Sequence, residues 1–108
     1  MSAPVPAAWR IGAVTVTQVV EQTSSVDVHK LLPTATAGDV RAIGWLAQSQ
    51  MDEDDRLRMS FNTLVVQAPS RLVVVDTCVG NDREGLNLAR WNGLQTDYLA
   101  NLAAAGVD

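Results

Sequence analysis

The side chains able to do chemistry in this sequence crowd into one stretch, RLVVVDTCVGND at residues 71–82. There a run of apolar residues ends abruptly in Asp76, Thr77, the only cysteine, Cys78, and then Gly80 and Asn81. A carboxylate at the end of an apolar strand stands where the loops of α/β sheets gather their ligands. In that place it can be a metal ligand, a general base, or a hydrogen-bonding support behind a metal site. The same aspartate can also close a turn through bonds from its side chain to the backbone, and spacing alone favours that simpler role.

The other candidates are weaker. Cys78 as a nucleophile needs a base, and no histidine lies near it in sequence; a free cysteine is commonly a small buried residue. His29 is the only histidine and sits in an early polar segment, where a solvated side chain is expected rather than a metal ligand. The acidic run Asp52, Glu53, Asp54 and Asp55 lacks the alternating ligands, the glycine and the distal glutamate of a calcium loop, and is expected to be a solvated turn. Gly80 is a lone loop glycine, not a phosphate cradle. Trp9, Trp45 and Trp91 can line a pocket or fill core and loop packing, and packing is the simpler expectation.

The elements that must position these residues follow from patterning. IGAVTVTQVV at residues 11–20 alternates β-branched and polar residues and predicts a first strand. Residues 21–36 break that pattern. Asp39 then precedes VRAIGWLAQ, whose Val40, Ile43 and Leu46 recur at helical spacing, with Gly44 as a weak point. Residues 59–67 and 71–75 read as a hairpin closed by a proline-containing turn. The unbroken LVVV of the second strand predicts an interior strand covered on both faces. Farther on, Thr96 or Asp97 can cap a helix with Leu94, Tyr98, Leu99 and Leu102 on one face and Gly106 as its stop. Strand, loop, helix and glycine stop make up most of a β-α-β unit, whose returning parallel strand is expected beyond the sequence.

Composition bounds the reading from the other side. At 108 residues, 47% apolar and 19% charged, the chain has the make-up of an ordinary globular protein. A net charge of −4 provides no broad cationic field, so nucleic acid is not an expected partner. One cysteine excludes an internal disulfide framework. The N-terminus lacks the features of an export signal, and no apolar run approaches the roughly 20 residues of a membrane helix; a soluble, cytoplasmic chain with no membrane partner is expected. Pro4 and Pro6 suggest a short extended arm.

The stretch SFNTLVVQAPSRLVVVDTCVGND, with WRIGAVTVTQVVE before it and WNGLQTDYLANLAAAGVD after it, resembles the N-terminal part of a metallo-β-lactamase-fold hydrolase over nearly the whole chain. In that superfamily an early hairpin ends in a strand reading apolar-apolar-Asp-Thr-Gly, followed by a helix and a strand bearing His-x-His-x-Asp-His. Asp76 and Thr77 match, while Cys78 stands where glycine is commonest, with Gly80 two residues on. The Asp-Thr-Cys-x-Gly-Asn variant resembles a branch of metal-dependent hydrolases related to lactonases and organophosphate hydrolases.

The resemblance implies an α+β fold with a partial αββα sandwich and a mixed sheet, residues 1–108 being the N-terminal portion of a single domain. It implies that Asp76 supports a metal site by hydrogen bonding without binding metal, that Thr77, Cys78 and Asn81 line the same loop, and that Asn62 has a structural role. The parent enzyme would hold one or two metal ions, zinc by the resemblance, and attack an ester, lactone or related bond of a small-molecule substrate with metal-bound hydroxide, available because the metal lowers the pKa of water to about 7. His-x-His-x-Asp-His does not occur in the sequence, and in the family it would follow AAAGVD; this chain alone is expected to bind no zinc and to be inactive. The rival readings are a complete non-catalytic binding or interaction module and, behind it, a cysteine-dependent enzyme using Cys78.

Overall fold

The computed structural model describes residues 7–107, so the arm expected around Pro4 and Pro6 lies outside the described residues. The chain divides into two compact units, one built from residues 7–22 and 61–107 and the other from Thr23–Ser60. Four strands, β1 (Ala8–Ile11), β2 (Val14–Asp27), β3 (Arg56–Ala68) and β4 (Arg71–Val75), form one antiparallel sheet in the order β1-β2-β3-β4.

Local chemistry accounts for the tight connections. Ile11 pairs with Val14 across a turn opened by Gly12 at φ +62°, a left-handed conformation that costs glycine little because it has no Cβ. Ala68 pairs with Arg71 across Pro69 and Ser70, so the expected hairpin forms, with β3 longer than its pattern suggested. The predicted first strand is likewise two: the turn at Gly12 divides it, and β2 continues through Glu21 to Asp27.

The partial αββα sandwich with a mixed sheet is contradicted. All neighbouring strands run antiparallel in a single sheet, and the helices are short, from four to seven residues. The expectation of an interior strand at residues 71–75 fails with it. β4 is the edge strand, and Leu72, Val73 and Val75 are 45%, 46% and 47% exposed. A continuous apolar run reports affinity for burial; it does not report which strands stand alongside.

In the first unit, α4 (Tyr98–Ala104) presents Tyr98 and Leu102 to Val19 of β2 and Val65 of β3, with Cys78, Ala105 and Val107 packed around them. Its N-terminus is served by Thr96, whose hydroxyl accepts from the Tyr98 N–H at 3.3 Å; the Asp97 side chain makes no capping bond. Gly106, at φ +98°, follows the helix as expected. Leu99 does not share the buried face, being 70% exposed, and Leu94 precedes the helix. Trp9 and Trp45 are exposed rather than core residues, whereas Trp91, in a 3-10 turn (Ala89–Trp91), packs edge-to-face on Phe61 with centroids 5.8 Å apart.

The second unit closes on its own small core of Val28, Val40, Met51 and Leu57. It contains α1 (Val28–Leu31), α2 (Ala37–Arg41) and α3 (Gly44–Gln50). The single helix expected after Asp39 is thus two short ones. Thr36 caps α2 in a reciprocal box: its hydroxyl accepts from the Asp39 N–H at 3.1 Å, and the Asp39 carboxylate accepts from the Thr36 N–H at 2.9 Å. Asp39 is therefore the third residue of the capped turn, not the cap itself. The acidic run is a turn in which the Asp52 carboxylate accepts from the N–H groups of Asp54 and Arg56.

Candidate functional site

β4 ends at Val75, and the next residues leave the strand through three left-handed conformations, Asp76 at φ +65°, Cys78 at +57° and Gly80 at +90°. A left-handed residue with a side chain costs of order 1 kcal/mol, so two of them within three residues need neighbours that hold them. Those neighbours are side chains from β2 and β3 and from the start of α4.

Thr63 on β3 is the first. It is fully buried, and its hydroxyl donates to the Asp76 carbonyl at 2.6 Å. The same oxygen is hydrogen-bonded to the Tyr98 hydroxyl and lies 3.5 Å from the Cys78 sulfur. Because a carbonyl can only accept, the single Thr63 proton is committed to Asp76. The Tyr98 phenol and the Cys78 thiol are then the donors toward Thr63, and both must be protonated. Burial pushes the Cys78 thiol above its ordinary value, and the Glu21 and Asp76 carboxylates push in the same direction; burial likewise raises the Tyr98 phenol.

Glu21 on β2 is the second. Only 6% exposed, its carboxylate accepts from the Val79 N–H at 3.2 Å and from the Gly80 N–H at 2.7 Å. The Gln22 side chain donates to it as well, at 3.2 Å. Backbone donors thus satisfy a buried charge that would otherwise be costly.

Asp76 itself is exposed, and its Oδ1 accepts from the Cys78 N–H at 2.8 Å. This is the turn-closing bond that spacing favoured, and it presents the carboxylate on a backbone fixed by Thr63. Thr77 is exposed on the same loop. Asn81 ties the loop to the start of α4: its amide donates to the Thr96 carbonyl at 2.9 Å, while its carbonyl accepts from the Thr96 N–H at 2.9 Å and the Thr96 hydroxyl at 3.0 Å. Asn62 is half-buried on β3, and strand alternation puts it on the face opposite Thr63. Asp76, Thr77, Cys78 and Asn81 therefore come together in one loop, and Asn62 flanks the residue beneath it.

Sequence reasoning missed Thr63, Tyr98 and Glu21. Glu21 left a signal: two residues after Val19 and so on the same face, it is the first acid in an otherwise Val/Thr-rich strand. Among the described residues no group of three or more His, Cys, Asp or Glu is arranged to hold a metal ion. His29, in the Thr23–Ser60 unit, belongs to no such cluster. No helix of the described residues is long and apolar enough to cross a membrane.

The protonated thiol has a measurable consequence. Alkylation of Cys78 by iodoacetamide is expected to be slow at pH 8 and to accelerate with an inflection above that of a free thiol. Stability follows the same sign: it is fully present below the unfolded thiol's pKa and is lost as pH rises through the raised folded value. An inflection below the free-thiol range overturns the donor assignment. Comparison of the chain with family models, curated proteins and solved structures finds no match.

Proposed function

We propose that this chain is a supporting part of a metal-dependent hydrolase related to the metallo-β-lactamase superfamily, acting on an ester, lactone or related bond of a small-molecule substrate. The observation that carries the reading is Asp76. An exposed carboxylate follows directly on an apolar strand, in a left-handed conformation, with its carbonyl gripped by a fully buried hydroxyl. Such a carboxylate is suited to orienting ligand-bearing loops by hydrogen bonding, the role the resemblance implies for it. Thr77, Cys78 and Asn81 shape the loop around it.

In this reading the metal ligands come from residues outside this sequence, and no chemical step is assigned to the residues present. The implied metal is zinc, one or two ions. The exposed apolar residues of β4 favour the same reading over a self-contained binding module, since an edge strand bearing Leu72, Val73 and Val75 is suited to further chain alongside it. The raised Cys78 thiol disfavours a cysteine nucleophile.

Reading the source DNA past the codon for Asp108 tests the proposal. In-frame His-x-His-x-Asp-His within the next strand and turn is the expected result. A stop codon directly after Asp108 withdraws the enzyme assignment.

A further inference from the structure

We propose that residues 78–80 form a backbone anion site for a carboxylate, that Glu21 is its resident occupant, and that this occupancy sets the exposure of Cys78. The inference stands on the geometry of the loop and is independent of the hydrolase reading. Left-handed residues at 76, 78 and 80 alternate with their neighbours, and alternation of this kind turns successive N–H groups toward one point. Two of them, from Val79 and Gly80, meet on the Glu21 carboxylate. Among the described residues no Lys, Arg or His forms an ion pair with Glu21, so its charge is balanced by amide dipoles, as a bound anion's would be.

Gly80 fits this role by conformation. A Cβ built there meets nothing closer than 3.9 Å, so φ +90°, not lack of space, favours glycine. The hydrogen bonds of Glu21 reach the loop at Val79 and Gly80, beyond Cys78, whereas the Asp76 carbonyl is held by the Thr63 hydroxyl. The loop is therefore pinned on both sides of Cys78, by Thr63 before it and by Glu21 after it. Loss of the second pin leaves Cys78 held from the Asp76 side alone, through its N–H bond to Asp76 and the Thr63 hydroxyl beside its sulfur. Glu21 is in this sense a positioning residue.

The test is alkylation of Cys78, the only thiol, in the full chain. Glu21→Ala is expected to raise the rate at least about tenfold, because leaving two part-buried N–H groups without their acceptor shifts the loop toward its open form. Sodium formate, a free carboxylate small enough for the vacated position, is expected to return the rate toward that of the native chain, and sodium chloride at equal ionic strength is not. Glu21→Gln keeps the volume and one acceptor oxygen but loses the charge, and an intermediate rate is expected. It also carries the test if circular dichroism finds the alanine chain unfolded. An unchanged rate in the folded alanine variant overturns the proposal, as does formate protection no greater than chloride's. A glutamine rate equal to the native one overturns the need for a charged occupant.

Discussion

Thr63→Val is expected to destabilise the unit that contains the Asp76 loop by about 2–3 kcal/mol, a large cost for a change that leaves volume nearly constant. The substitution removes one hydroxyl from a fully buried position and takes a partner from three groups at once: the Asp76 carbonyl, the Tyr98 phenol and the Cys78 thiol. Polar groups that lose this partner retain the desolvation cost of their buried part without the compensating bond. Thr63→Ser keeps the hydroxyl and loses one methyl, so about 0.8 kcal/mol is expected of it. Tyr98→Phe removes one donor and is expected to cost about 1 kcal/mol. The double variant Thr63→Val with Tyr98→Phe should cost less than the two singles together, since the second change removes a group the first has already deprived of its bond to Thr63. Urea midpoints at unchanged m-value give the numbers. A Thr63→Val midpoint within about 0.5 kcal/mol of the native chain contradicts the network.

The second large effect is on association. β4 has one strand neighbour, its apolar residues 72–75 carry no charge, and three of the four side chains are about half exposed. An apolar edge of this kind pairs with other strands, and natural proteins interrupt such edges with lysine. Light scattering of the isolated chain is expected to show mass rising with concentration, and Val73→Lys to abolish the rise while far-UV circular dichroism stays superposable. Val73 sits at mid-strand opposite Val66, so a lysine there places a charge within the free edge with little cost to the small core of Val19, Val65, Tyr98 and Leu102. A native chain that remains monomeric at high concentration removes the premise. The hydrolase reading is compatible with this behaviour, because further chain lying along β4 would cover the edge.

Several features of this protein are determined by sequence because short-range chemistry dictates them. The Pro69–Ser70 hairpin, the acidic turn at Asp52, the helix closed before Gly106 and the departure of the chain from its strand at Asp76 depend on turn propensity, backbone handedness and side-chain to backbone bonds within a few residues. The clustering of Thr77, Cys78 and Asn81 with Asp76 is legible for the same reason: they share one loop. Tertiary structure decides what the loop rests on. Thr63 is 13 residues from Asp76, Tyr98 is 35 from Thr63, and Glu21 is 58 from Val79. No local pattern records such distances, since a buried threonine and an exposed one look alike in a β-rich run. Strand order is equally invisible: LVVV carries the same hydrophobicity at the edge of a sheet as in its middle, and only the pairing of each hairpin with the strand before it leaves β4 outermost.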